Sequence, residues 1–300
     1  MADVICPLCG SSPTEEIARV KREGQIHPLV RCVRCTLIFV CPRPTAEALR
    51  TYYVARGEAR TYTAMAKHIQ DEHELYQARF QRRLREITRY ARPPGRLLDV
   101  GCQQGLFVTA AQAQGYGVQG VELLPEAARE AQRRSQAEIF TGELSDARYP
   151  PAHFDVVTCW HLIEHLLHPL EFLREVHRIL KPGGLLALET PNIASRNFQR
   201  QGSRWEYIRP PEHINYFDCT SLTHGLRLTH FNVCYHTYDQ GTSVGPTLDR
   251  LKLGRLRQWG RRHYRWIAPL RSLYLASVGR LVPQEDILVL LARAQQDVPA

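Results

Sequence analysis

The sequence predicts an α/β fold: a doubly wound, mostly parallel sheet preceded by a small metal-stapled module. Three observations predict it. The stretch Leu97-Leu98-Asp99-Val100-Gly101-Cys102-Gln103-Gln104-Gly105 has the make-up of a buried strand, a tight turn and the amino end of a helix. Strand-length apolar runs then alternate with helical patterns as far as Asn192, as parallel strands joined by crossover helices do. Ahead of them, Cys6-Pro-Leu-Cys9 and Cys32-Val-Arg-Cys35 make two C-x2-C knuckles. At 300 residues the chain can hold one sizeable core and an appendage.

Taken in order, residues 1–45 form the metal module. Four thiolates on two tight turns can surround one Zn2+ tetrahedrally, and the metal supplies folding energy that so short a segment lacks. With Cys6, Cys9, Cys32 and Cys35 filling all four positions, the zinc is structural, because no place remains for an activated water. The nine cysteines are unevenly spaced, Met1–Cys6 has no signal-peptide pattern, and no apolar run approaches the roughly 20 residues of a membrane span. The expected location is therefore cytoplasmic, with thiols and metal rather than disulfides. Residues 46–94 read as a linker and helical cap. Asp71–Ala91 gives an amphipathic helix, with Leu75, Phe80, Leu84 and Ile87 near one face and arginines on the other, ended by Pro93-Pro94-Gly95.

The nucleotide-like fold occupies residues 95–300. Gly101 frees the strand exit of a β-carbon and Gly105 lets the helix Leu106–Gln114 pack closely, so a ligand can meet bare backbone. The helix amino end offers N–H groups and a partial positive charge. Asp99 suits a ligand with an ammonium or sulfonium, and the full G-x-G-x-x-G pattern of dinucleotide sites is absent. Val118–Val121 is a second strand. Glu122 follows at its carboxyl end, 122 − 99 = 23 positions beyond Asp99, where an acid can accept both hydroxyls of a ribose. Pro125 opens the next helix. Ile139–Thr141, Phe154–Val157 and Leu185–Leu188 are the third, fourth and fifth strands, the last two joined by an amphipathic helix over Pro169–Leu180. Ligands of such sheets lie outside the carboxyl ends of the strands, which puts Trp160 and His161 on the ligand side.

The run from Asp99 to Gly105 resembles motif I of the class I S-adenosylmethionine-dependent methyltransferases, usually D-x-G-x-G-x-G, with Gln103 where the family prefers its middle glycine. Leu180-Lys-Pro-Gly-Gly184, followed by an apolar strand and Thr190-Pro-Asn192, is similar to the same family. Cys35–Pro44 with Tyr52-Tyr53 resembles the linker of bacterial sugar and secondary-metabolite methyltransferases that carry such a knuckle pair. The resemblance implies a Rossmann-like sheet closed by an antiparallel edge hairpin, here Phe231–Tyr238 with Ile287–Ala294. It implies S-adenosylmethionine as cofactor, held by Asp99, Gly101, Cys102, Gly105, Glu122, Trp160 and His161, with Glu143 meeting the adenine amino group. Thr158–His165 is also similar to quinone-precursor O-methyltransferases, in which E-x-x-E-H holds a divalent cation; His161 stands at their first glutamate. The string His161-x-x-Glu164-His165 is formally that of an inverted zinc peptidase, which needs both histidines on one helical face. Its place directly after a strand of this fold argues against that reading.

The acceptor side is sought in Trp205–Phe217. Histidine has the pKa range for taking a proton from a hydroxyl or an α-carbon, and Glu212-His213-Ile-Asn-Tyr-Phe217 resembles the E-H-x-x-Y-F segment of the sugar methyltransferases. His213 is the expected base, Glu212 orients it or binds an acceptor hydroxyl, and His165 belongs to the same constellation. The bland reading is a structural histidine at a turn beside Ser221. The formal charge of +9 gathers in an insert at about residues 245–283, where Arg250 to Arg280 are interleaved with Trp259, Tyr264 and Trp266 and no acid separates Asp249 from Glu285. That mixture suits peripheral contact of 250–280 with an anionic membrane or a phosphate-bearing acceptor; a solvated lid is the plain alternative.

The expected activity is methyl transfer to a small-molecule acceptor, a sugar (nucleotide- or lipid-linked) or a secondary metabolite. A zinc-ribbon RNA methyltransferase is the first alternative. It is disfavoured because the basic segment is remote from the knuckles and the fourth strand lacks an Asn-Pro-Pro-Tyr type of turn. A non-catalytic binding protein, its pocket spoiled by Gln103, is the second.

Overall fold

The computed structural model describes residues 4–22, 24–57, 73–239 and 285–295. The two knuckles flank an antiparallel hairpin, β1 (Thr14–Arg22) and β2 (Gln25–Cys32), whose register runs from Thr14 opposite Cys32 to Arg22 opposite Gln25. β3 (Ile38–Val40) lies along β2, and α1 (Ala46–Gly57) and α2 (His73–Thr88) follow. The nucleotide-like region then reads β4 (Arg96–Val100), α3 (Leu106–Gln112), β5 (Gly117–Glu122), α4 (Pro125–Ser135), β6 (Glu138–Thr141), β7 (Phe154–Trp160), α5 (Pro169–Ile179) and β8 (Leu180–Pro191). It ends with α6 (Arg196–Gln201), β9 (Asn215–Tyr216), α7 (Cys219–Leu228), β10 (Phe231–Asp239) and β11 (Ile287–Ala294).

Seven strands form the main sheet in the order β10-β11-β8-β7-β4-β5-β6. β8, β7, β4, β5 and β6 are mutually parallel, while β11 runs antiparallel to β8 and β10 antiparallel to β11, the expected edge hairpin. Alternation along the strands sends neighbours to opposite faces. On β4, Leu97 packs with Leu84 and Ile87 of α2 and Phe107 and Val108 of α3, whereas Leu98 joins Leu173, Val176 and Ile179 of α5 on the other face. Burying each such side chain contributes about 1.5–3 kcal/mol, so both layers of helices are held mainly by this apolar contact.

β9 is not part of that sheet. It pairs with β3, Ile38 opposite Tyr216 and Phe39 opposite Asn215, and completes a four-stranded sheet β1-β2-β3-β9. The stretch between the knuckles thus becomes two sheet strands, and the sheet borrows its last strand from the segment after His213.

One sequence expectation needs correction, and the peptidase alternative argued against above loses its helix. Arg83, expected on the polar face of α2, is 1% exposed. The helix that an inverted peptidase needs is absent among the described residues: β7 runs to Trp160, and only a 3-10 turn, Ile163–His165, follows. The basic insert at 245–283, with its membrane-facing stretch 250–280, lies outside the described residues. No helix among the described residues is long and apolar enough to cross a membrane.

Candidate active site

The four knuckle cysteines converge. The sulfurs of Cys6, Cys9, Cys32 and Cys35 all lie within 4.8 Å of one another, with Cys6 and Cys35 3.5 Å apart and Cys9 and Cys32 3.6 Å apart. A hydrogen bond from Cys35 holds the Cys6 thiol below the usual thiol range, which favours the thiolate that a metal needs. Four soft donors at this spacing fit a closed tetrahedral Zn2+ site.

At the carboxyl end of β4 the glycines do what the turn requires, with one change of partner. Gly101 has φ +75° and Gly105 φ +74°. A β-carbon on Gly105 would stand 2.9 Å from Ala131 Cα, so this glycine admits α4 rather than the sheet. Gly120 also makes space, because a β-carbon there would stand 2.8 Å from Cys102 Sγ. The Cys102 side chain therefore packs into the core between β5 and α3, and only its backbone belongs to the turn. Gln103 takes φ +48° and is exposed, which explains why glycine is favoured there.

Glu122, 7% exposed, faces this turn. Its two oxygens accept the backbone N–H groups of Gln103 and Leu124, each at 2.9 Å. Burial raises its pKa while those two bonds oppose the shift. Asp99, 1% exposed, accepts a 2.7 Å hydrogen bond from Thr158 Oγ1, and burial pushes it up to about 7. Glu143 is exposed at the end of β6, adjoining Glu122 through the Gly142 N–H to Glu122 carbonyl bond of 3.0 Å. Two buried donors at the same edge, Trp160 Nε1 and Arg79 Nε, have no hydrogen-bond partner among the described residues. A buried acid able to accept hydroxyls, a bare-backbone turn and orphan N–H donors suited to a carboxylate together fit a nucleoside carrying an amino-acid tail.

At the ends of β7 and β8 the site is ionic. Glu189 accepts Arg83 Nε at 2.9 Å and is paired with Arg79, whose guanidinium also donates to His161 Nε2 at 2.7 Å. His161 Nδ1 stands 3.2 Å from Glu164 Oε1, and Glu164 Oε2 accepts Thr190 Oγ1 at 3.0 Å. Burial pushes the Glu164 carboxyl up, but the His161 ring and the positive surroundings win and hold it at about 2. His161 is thus tied into an ion-pair chain, with its side chain still partly exposed.

His213 and His165 come together as expected, their ring centres 4.8 Å apart, and their nitrogens lie with a Glu164 oxygen inside a 4.8 Å cluster. The Tyr207 carbonyl accepts from His213 Nδ1 at 2.8 Å, and the Glu212 carbonyl accepts from His165 Nδ1 at 2.8 Å. The expectation of a His213 pKa near neutrality needs correction: burial lowers it to about 3. The turn beside Ser221 is capped by Asp218, not by this histidine.

A cavity of about 490 Å3 opens between β2, β3 and α1 and extends to Pro211, two residues before His213. Ile26, Val40, Leu49 and Tyr52 contribute to its walls. His27 also lines it, 9% exposed, and His27 Nε2 has no hydrogen-bond partner among the described residues.

Sequence reasoning missed Arg79 and Arg83, and it gave no role to Glu189 and Thr158, which it places only at the ligand end of their strands. One signal was available: Arg79 and Arg83 are four apart and flank the apolar stripe of α2, so one helical face carries both.

A family model described as a methyltransferase domain matches residues 69–236, more than half of the chain. The ubiquinone biosynthesis O-methyltransferase of Xanthomonas campestris pv. campestris is 36% identical over 127 residues, covering 40% of this chain and 53% of that protein. The enzyme of the same name from Aliivibrio fischeri is 30% identical over 172 residues, 50% of this chain and 73% of its own length. The chain thus spans about half to three quarters of these relatives. Among solved structures, the complex of the Haloferax volcanii Trm112 methyltransferase activator with a putative methyltransferase matches with a TM-score of 0.54 at 14% identity, over 81% of this chain and 98% of that one, a likeness of fold alone. With the glycine turn, the buried Glu122 facing it and the seven-stranded order already described, the family match leaves one conclusion: the chain belongs to the class I S-adenosylmethionine-dependent methyltransferases.

Proposed function

We propose that the enzyme methylates a hydroxyl oxygen of a small, ring-bearing acceptor held beside Glu164, His165 and His213. The observation that carries this reading is the convergence of those three side chains within 4.8 Å at the carboxyl edge of the sheet, next to the turn that Glu122 closes. Bound S-adenosylmethionine supplies an electrophilic methyl group. Asp99, the Gly101–Gly105 turn, Glu122 and Glu143 are the residues that would hold it. His213 is uncharged at neutral pH and can take the acceptor's proton, and ionised Glu164 offsets the charge that the imidazolium then carries. Because the displacement is in line, most acceleration comes from holding the acceptor in place.

One further point supports an aromatic alcohol over a free sugar: the curated relatives are named ubiquinone biosynthesis O-methyltransferases. The test is a panel of catechols, monophenols, free sugars and nucleotide sugars incubated with S-adenosylmethionine, reading release of S-adenosylhomocysteine. Turnover on the catechols is the expected result; turnover confined to sugars would overturn the aromatic assignment.

A second reading of His213 is favoured by its low pKa and its neighbours. Glu164, His165 and His213 form a carboxylate and two-imidazole donor set of the kind that holds a divalent cation. Metal analysis separates the two: one zinc per chain leaves His213 as base, while two ions, falling to one in Glu164→Gln, make it a ligand.

A further inference from the structure

Arg43 leaves the metal module just after β3 and reaches two backbone segments at once. Nη1 donates to the Ile214 carbonyl at 3.2 Å and to Asn215 Oδ1 at 2.7 Å. Nη2 donates to the carbonyls of Leu166 at 3.1 Å and Leu167 at 2.7 Å. The first of these segments begins immediately after His213, the second immediately after His165. All four acceptors are neutral oxygens, so the guanidinium is placed here for its shape. Its donors sit in a rigid planar fork that can span two chains, whereas a lysine ammonium is a single point on a flexible stem.

Other bonds run alongside. Val40 N–H donates to the Ile214 carbonyl and Ile214 N–H to the Glu164 carbonyl, each at 3.0 Å. Fully buried Asn215 donates through Nδ2 to the Leu166 carbonyl at 2.7 Å. β3 itself is fixed to the second knuckle, where Cys32 N–H donates to the Leu37 carbonyl at 2.9 Å. An unbroken path of hydrogen bonds therefore links the four-cysteine site to both histidine-bearing segments.

We propose that Arg43 is a positioning residue of the acceptor site: together with β3 it sets the spacing between the Glu164–His165 turn and His213, and it ties that spacing to the folded metal module. This rests on the acceptor reading above for its functional meaning. Removing the guanidinium takes the Arg43 donor from the Leu167 carbonyl and Asn215 Oδ1, leaves the Ile214 and Leu166 carbonyls with Val40 N–H and Asn215 Nδ2 alone, and lets the two segments separate, while the glycine turn, on β4 and β5, keeps its own bonds.

The test is hydrogen exchange on the full zinc-loaded chain, with zinc content and S-adenosylhomocysteine affinity measured in parallel. In Arg43→Ala the amides of Val40 and Ile214 are expected to exchange at least about tenfold faster, with those of β4 and β5 unchanged. Zinc content stays as in the wild type, and cofactor-product affinity stays within about twofold. Ethylguanidinium added to Arg43→Ala restores protection, and ethylammonium does not. Arg43→Lys, which keeps charge and stem, serves as the second variant: fast exchange at Val40 and Ile214 supports the proposal even if Arg43→Ala fails to fold. Wild-type exchange in Arg43→Lys, or a uniform rise through β4 and β5, overturns it. No acceptor enters these measurements, so the panel of alcohols and sugars can fail without touching this result, and the reverse also holds.

Discussion

Asp99 on β4 and Glu189 on β8 are each 1% exposed, yet the fold handles their charges in opposite ways. Asp99 has the neutral hydroxyl of Thr158 beside it and is pushed up to about 7, while Glu189 is gripped by Arg79 and Arg83 and, despite its burial, held well below the usual carboxylate range. The difference teaches how the two halves of the reaction edge are prepared. On the cofactor side, carboxylates meet hydroxyl and backbone donors, and among the described residues no arginine pairs with Asp99 or Glu122. On the acceptor side, ion pairs fix the carboxylates before any ligand arrives.

Glu189→Gln attacks that contrast hardest. It strips Arg83 of a buried partner and should cost about 3 kcal/mol at pH 7 in a denaturant titration. The sign in pH follows from its lowered value: the stability Glu189 contributes is present above its unfolded pKa of 4.5 and is lost as pH falls through the native value, so the variant should also show a flatter acid limb. Next in size, His213→Ala should lower turnover by roughly 10²-fold while calorimetry finds S-adenosylhomocysteine affinity unchanged; unaltered turnover would remove His213 from the mechanism.

Asp99→Asn sharpens the comparison from the other side. Native Asp99 keeps its proton up to about pH 7 whereas the unfolded chain releases it near 3.8, so wild-type stability declines as pH climbs between those values. The amide should remove that decline and raise stability above neutrality by about 1 kcal/mol, read as a pH series of melting curves. Gln103→Gly should have the smallest effect: relief of a left-handed glutamine, a gain of at most about 1 kcal/mol, with S-adenosylhomocysteine affinity changing less than about twofold. A large gain in affinity would mean that the glutamine obstructs the pocket after all.

The same contrast explains what was legible in the sequence. Asp99, Gly101, Gly105 and Glu122 lie on one strand-turn-helix-strand unit, so their spacing alone carries the site. The two knuckles were legible for the same reason. Arg79 reaches Glu189 across 110 positions, and Arg43 reaches Leu167 across 124, distances over which no local period survives. Helical periodicity makes Arg83 a surface charge, because only the folded sheet supplies the carboxylates that let it be buried. His213 stands out by its neighbours in sequence, but its pKa does not, because burial by distant elements sets it.

The edge hairpin has an architectural consequence. Asp239 is paired opposite Ile287, so the chain departs from β10 and returns to β11 at adjoining points, and the return is anchored where Asp286 accepts from Asn197 and Trp205. Both ends stand where β8 finishes, at Pro191. The described chain thus leaves and re-enters the main sheet at adjoining points of its β8 edge, a splice point where one insert can be exchanged for another without rethreading a single strand.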